Sequence, residues 1–571
     1  MRHLIALLIL MPLAVQTPPP RPPPPPPPVR VSGPIPQTGE GQIDGLIRRF
    51  SDQEPITGAR VTLTGPPDRT GAVGQLTTTT GNDGRFSFPN LLAGRYIVDV
   101  RHEGYFVRRP HSGTPDPAQV LVGPGKSSTQ VALLLIQGGT ISGRILDPMG
   151  RPSPLTSVTA AKQIYRDGRP VLTPVKTTTS DDRGEYRLWW LEPGEYVISA
   201  EKNLPAGRAR GYFPGSDDGR AAIPIRVGEG TDASRTDFSL AAFQATVTVS
   251  GAVNYASPVA DSASPTARPG AAVSSDQKTI SDATRYMAPQ FFLVPLDSPR
   301  LYEAMSEVPN AVLNSRDRAD GKFELRNVRS GSYELFAVSQ DQSSKSYMAH
   351  QTIDVGNQDL GNIALTARPN IDLRGTVTAG VGKPAPSVRI HFRPRLPLPN
   401  WPGLTLVSTD GKFVIPNVPE SHYLITVEPL EPNSYVAEFL HGNDSILGQG
   451  AVTVAAGLAD TLDVLIQPAA ATIRGVVVGL TSRLNDGVII TLVPGDDRRA
   501  NLSLYKRLVS TDGSFSFVGI GPGNYKVLAW ESLPDGAEMN AEFMEAFNER
   551  GSDVVASAGS TSSVQVRLIS K

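Results

Sequence analysis

The sequence predicts an all-β protein of five tandem β-sandwich domains, and three observations carry that expectation. Gly (54) and Pro (52) are both abundant in the 571 residues, which favours turns over long helices. One turn-and-strand pattern recurs five times along the chain. The recurrences lie roughly 100 to 125 residues apart, the length of one sandwich domain.

The N-terminal segment comes first. Arg2 supplies positive charge and Leu4 to Val15 form an apolar run, as in an export signal over residues 1–17. The run is too short to span a bilayer. Ala14-Val15-Gln16 matches a small-x-small cleavage pattern only loosely, so both cleavage and retention as a weak anchor stay open. Residues 18–40 read as a proline-rich linker. Ten of the eleven residues from Pro18 to Pro28 are proline, which makes a stiff polyproline II spacer of ~3.1 Å per residue.

Each repeat opens on a Gly within a β-rich run: Gly45, Gly143, Gly251, Gly375 and Gly475. A turn Gly and an aromatic strand follow, at Gly84-Arg85-Phe86, Gly184-Glu185-Tyr186, Gly321-Lys322-Phe323, Gly411-Lys412-Phe413 and Gly513-Ser514-Phe515. Asp-Gly supplies the positive φ of a tight turn, and the alternation of Phe86 with Phe88, or Phe515 with Phe517, lines one face of a strand. A capping apolar residue closes that strand: Leu91, Leu191, Val328, Val418 or Ile520. Ten residues beyond the turn Gly a second Gly begins a tyrosine strand at Tyr96, Tyr196, Tyr333 and Tyr525, with Ser421-His422-Tyr423 as the departure. An irregular excursion follows, then a last strand such as Leu462 to Ile466 or Val564 to Ile569. Long loops on rigid scaffolds often carry function. These marks place domains at 41–137, 138–242, 243–367, 368–468 and 469–571, the third lengthened by a Ser/Ala/Pro-rich insertion from Ala256 to Met287. Only Met539 to Arg550 suggests an amphipathic helix. With an aromatic core in each repeat, the domains are expected to unfold independently.

The first-strand Gly, the Asp-x-x-Gly or Asp-Gly before an aromatic strand and the Gly-x-Tyr resemble the carboxypeptidase regulatory-like domain, over roughly residues 41–571 and best in the first, second and fifth repeats. The resemblance implies a transthyretin-like (prealbumin-like), Ig-like Greek-key sandwich, related in shape to Cna-B repeats and to the starch-binding-like fold. It implies scaffolding, adhesion or carbohydrate-like binding rather than a chemistry. Cna-B domains can crosslink a first-strand Lys, but the five first-strand windows contain no Lys.

Composition narrows the function further. Lys plus Arg (54) balances Asp plus Glu (55), so no global field draws the chain to nucleic acid. The absence of cysteine excludes disulfides and thiolate metal sites. The seven histidines show no His-x-x-x-His or His-x-x-Glu spacing, and no nucleophile elbow or phosphate loop appears. No catalytic residue, metal ligand or cofactor is expected. The Asp/Ser-rich loops at Ser216-Asp217-Asp218 and Asn443-Asp444-Ser445 read as solvated turns rather than calcium ligands.

One position breaks the repeat. Trp189-Trp190 stands where the other repeats carry Pro89-Asn90, Arg326-Asn327, Pro416-Asn417 and Val518-Gly519. At least one indole should therefore face solvent, either packing on a neighbouring domain or stacking on a sugar, with Arg187 or Glu192 at hand for hydroxyls. The expected protein is an exported, non-catalytic structural and binding protein, secreted, periplasmic or at the cell surface. Its expected partners are a glycan or envelope polymer, or other envelope proteins. The alternatives are a carbohydrate-binding array and, in another class, a hydrolase with an unrecognised carboxylate site.

Overall fold

A computed structural model gives the fold and describes residues 39–67, 73–108, 118–123, 129–204, 207–241, 246–256, 286–296, 321–380, 387–396, 398, 401, 403–408, 410–428, 430–455, 457–480 and 487–570. The expected signal, most of the linker and most of the 256–287 insertion lie outside these residues. The chain is all-β. Among the described residues α-helix is confined to Ala541–Glu545. The expected helix over 539–550 is interrupted by 3-10 turns at Ala537–Met539 and Asn548–Arg550, and Asn540 caps its short middle by accepting from Phe543 N at 2.6 Å. No helix among the described residues is long and apolar enough to cross a membrane.

Five times the opening strand pairs antiparallel with the aromatic strand, and each time the first-strand Gly faces the aromatic: Gly45 with Phe86, Gly143 with Tyr186, Gly251 with Phe323, Gly375 with Phe413, Gly475 with Phe515. The reason is steric. A Cβ on Gly45, Gly375 or Gly475 would lie 2.0, 2.1 or 2.4 Å from the Cζ of the opposing ring, so the aromatic lies across the glycine. At Gly143 the space is taken by the Thr236 carbonyl, to which the Tyr186 hydroxyl donates at 2.9 Å.

The aromatic strand is an edge in all five, and its pairing slips by one residue at the same place, a β-bulge. The bulged residue is left-handed each time: Asn90 (φ 62°), Trp190 (φ 54°), Asn327 (φ 61°), Asn417 (φ 57°) and Gly519 (φ 72°). Asn and Gly tolerate that conformation, and a bulged edge resists pairing with another chain. The tyrosine strand has its own device. Tyr96, Tyr196, Tyr423 and Tyr525 each donate to the carbonyl four residues upstream, at 2.6–2.9 Å, tying the strand to its preceding turn.

The chain divides into two compact units. The first comprises the described residues within 39–48, 53–102 and 118–133. Its four-stranded antiparallel sheet runs in the order Val73–Thr79, Arg60–Pro67, Gly94–Arg101, Ala118–Val122. Ile43, Val61, Leu63, Phe86, Phe88, Tyr96 and Val98 are buried within it.

The second unit comprises 49–52, 103–115 and 134–571. In its third, fourth and fifth repeats the opening strand also pairs parallel with the last strand, placing Gly251 opposite Ile363, Gly375 opposite Leu462 and Gly475 opposite Val564. Its repeats are not independent beads. Val294, Phe336 and Met348 of the third repeat join the core of the fourth, built on Leu373, Phe413 and Tyr423. The hairpin tip Tyr165-Arg166-Asp167-Gly168 of the second repeat enters a socket made by the fourth and fifth. Tyr165 N donates to Asp535 O at 2.7 Å, Asn540 Nδ2 donates to Gly168 O at 2.7 Å, and the Tyr165 ring packs on Phe543 with centroids 5.7 Å apart. Arg393 of the fourth repeat grips the Asp167 carboxylate with two parallel hydrogen bonds. Gly168 and Gly536 permit the approach, since a Cβ there would lie 2.6 Å from Met539 O and 2.2 Å from Tyr165 O. Asn501 of the fifth repeat reaches back to Leu447 O of the fourth at 2.6 Å. The expectation of independently folding domains is therefore revised within this unit, because the excursion after the fifth tyrosine strand serves as the socket.

Candidate functional site

The position singled out in the sequence lies on the edge strand Glu185–Leu191. Tyr186, Leu188 and Leu191 point into the core, while Arg187 and Trp189 point out. The bulge then brings Trp190 outward as well, so two consecutive indoles reach the surface, 49% and 44% exposed. Both belong to the strand itself, because the bulge extends the pairing to Leu191 opposite Gly139.

The two indoles have different surroundings. Trp190 holds a left-handed backbone that costs a bulky side chain of order 1–3 kcal/mol. Its indole lies against Gly104, where a Cβ would stand 3.1 Å from Nε1, and Lys176 Nζ is 5.8 Å from the ring centroid. Trp190 thus packs on the turn that precedes its own repeat. Trp189 carries the Arg187 guanidinium over its ring at 4.0 Å. Arg187 also donates to Asp232 Oδ2 at 3.1 Å, and Ser142 Oγ donates to Oδ1 of the same carboxylate at 3.3 Å. Arg187, Trp189 and Asp232 therefore form one surface cluster.

Glu192 belongs to another cluster. It pairs with Lys162 at 2.8 Å, and that ammonium lies 5.5 Å from the Tyr196 ring. Burial, then the nearby Glu192 charge, pushes the Tyr196 phenol well above its ordinary pKa. The four expected site residues thus divide among three surroundings. Asp232, Lys176 and Gly104 were not anticipated, since each lies more than ten residues away in sequence and none breaks the repeat pattern.

Histidines elsewhere hold strands together. His391 and His422 bond to Thr405 and Thr453 at 2.9 Å, and His441 bonds to Ala459 O at 2.7 Å. His350 contacts the buried Glu334 at 2.6 Å, and Thr352 donates to the same carboxylate at 2.7 Å. Burial works to raise the Glu334 carboxyl, but these two hydrogen bonds outweigh it and hold the group below its ordinary pKa. Among the described residues no three His, Asp or Glu side chains gather as a metal site.

Fold and surface together define an all-β repeat protein built on one aromatic-over-glycine unit. Residues 42–131 match the carboxypeptidase regulatory-like domain, the family whose pattern the repeats resemble. No curated protein matches the sequence. Among solved structures, a minor pilin of Streptococcus agalactiae aligns at 12% identity over 35% of this chain and 95% of its own, with a TM-score of 0.22. The shaft pilin of Lactobacillus rhamnosus GG aligns at 13% identity over 36% and 98%, with a TM-score of 0.19. The major pilin subunit of Bacillus cereus aligns at 9% identity over 75% and 99%, with a TM-score of 0.15. Likenesses at these scores carry no weight for fold or function here.

Proposed function

We propose that this chain is an exported, non-catalytic structural and binding protein of five sandwich modules, at 41–137, 138–242, 243–367, 368–468 and 469–571, acting at or beyond the cell envelope. The observation that supports it best is the use made of the second unit's polar and aromatic side chains. Asp167, Arg393, Asn540, Tyr165 and Phe543 fix repeat to repeat, as a load-carrying scaffold requires. The apolar segment ahead of the proline spacer suits display outside the cytoplasm. The test has two arms. Deleting residues 1–17 should abolish export of the chain, and the purified chain should show no turnover on glycoside, ester or peptide substrates; turnover lost on changing one polar residue would refute the reading.

A second reading rests on Trp189. A half-exposed indole whose ring already carries Arg187 leaves its other face for the flat, apolar side of a sugar, with the Asp232 carboxylate beside it. Binding would be weak at one module and would gain by multivalency on a polymer. Trp189→Ala should release the chain from an immobilised polysaccharide that retains the wild type, while circular dichroism stays unchanged.

A further inference from the structure

The third and fourth repeats share a core, and at its rim lies a cleft of about 350 Å³ that the Trp189 surface does not touch. We propose that this cleft binds a neutral, hydroxyl-rich ligand, a short saccharide, with Trp401 as its apolar platform. Three features carry the assignment.

The first is the chemistry of the walls. Among the described residues no Asp, Glu, Lys, Arg or His lines the cleft. A charged ligand would lose its hydration there without a counter-charge, whereas a hydroxylated one would find partners. Gln340 and Asn417 line it with exposed amides, and an amide carries a donor and an acceptor on one side chain. That pairing matches neighbouring hydroxyls, which also donate and accept.

The second is the platform. Trp401 is held edge-to-face by Tyr423 at 5.1 Å and by Phe392 at 6.0 Å, which fixes the indole before anything binds. With Met348, it gives the cleft the apolar surface that the carbon-bound hydrogens of a sugar ring pack on.

The third is rigidity. Asn370 N donates to Ser346 O at 2.9 Å, Asn370 Nδ2 to Asn417 O at 3.2 Å, and Asn417 Nδ2 to Ser346 Oγ at 3.2 Å. These bonds tie the end of one repeat to the bulge of the next. Met287 N, at the lip, is tied to Gln340 O at 2.7 Å. A preorganised cleft at an interface between repeats, of small-molecule size, is where ligand sites commonly form.

The experiment titrates cellotriose, chitotriose and maltotriose into the full chain, read by calorimetry and tryptophan fluorescence. The wild type should bind at least one of them at millimolar concentrations. Ala288→Arg, which fills the cleft from its exposed rim, should abolish that binding. Trp401→Phe, which keeps an aromatic on Tyr423 and Phe392 but shrinks the platform, should weaken it about tenfold, a change of 1.4 kcal/mol. The proposal is overturned if none of the three sugars binds, or if Ala288→Arg binds unchanged. Binding that survives Ala288→Arg and is lost when Trp189→Ala is added to it would instead belong to the Trp189 surface.

Discussion

In the first unit Phe86, Phe88 and Tyr96 are buried and the Phe86 ring lies across Gly45, whereas in the second unit one core takes side chains from two repeats. Both use the same local code: aromatic over glycine, left-handed bulge, tyrosine to upstream carbonyl. What separates them lies outside that code, in a hairpin tip, an excursion and the outer face of one sheet. The repeat specifies each sandwich, while residues between its marks join one sandwich to the next within the second unit.

The largest expected effect is in the cores. Phe86→Ala and Phe413→Ala should each cost about 3–5 kcal/mol by leaving a cavity over the facing glycine. The two should differ in reach. Hydrogen exchange should rise within the first unit for Phe86→Ala, but for Phe413→Ala it should also rise around Phe336 and Met348, which share that core. Exchange confined to the fourth repeat would remove the claim that the core is shared.

Next is the clasp. Asp167→Ala removes a charged pair of hydrogen bonds, each worth about 1.5–3 kcal/mol when fully buried. Because the Arg393 side chain is 47% exposed, the loss should fall at the lower end of that range in chemical denaturation.

The phenol-to-carbonyl bonds are smaller. Tyr525→Phe should cost about 1 kcal/mol, read as a lower denaturation midpoint at an unchanged slope.

Two buried carboxyls sharpen the comparison through pH. Glu538 lies in the socket, and burial raises its pKa against the opposing pull of Arg507. Its stabilising contribution is present below the ordinary carboxyl pKa of about 4.3 and is lost as pH rises through the raised value. Glu334 has the opposite sign: its contribution is present above about 4.3 and is lost as pH falls through its lowered value. Glu538→Gln should therefore leave stability unchanged or slightly higher at neutral pH and flatten its fall on leaving acid. Glu334→Gln should be destabilising at neutral pH. Melting curves across pH would show whether the two variants diverge in this way.

Much of the fold was legible because its signals are local. Asp-Gly, the alternating aromatics and Gly-x-Tyr sit within a few residues of the structure they cause. The opening Gly was legible as a marker, but its reason was not, since the ring that covers it lies some forty residues away. Trp189 and Trp190 stood out by breaking the pattern, and their exposure followed from that. The division of labour between them did not, because it depends on Gly104 and Asp232. The clasp left no mark on periodicity at all: Asn540 meets Gly168 across 372 residues, and Arg393 meets Asp167 across 226.

If the second repeat's hairpin tip locks the second unit, loss of its carboxylate must be felt in both repeats that hold it. Mass-spectrometric hydrogen exchange on the full chain, wild type against Asp167→Ala, tests it most directly. Loss of the clasp should speed exchange on its far side, in residues 389–394 of the fourth repeat and 533–550 of the fifth, as well as in the hairpin 157–179. Faster exchange limited to the hairpin, with both distant segments unchanged, would contradict the account and restore a chain of independent modules.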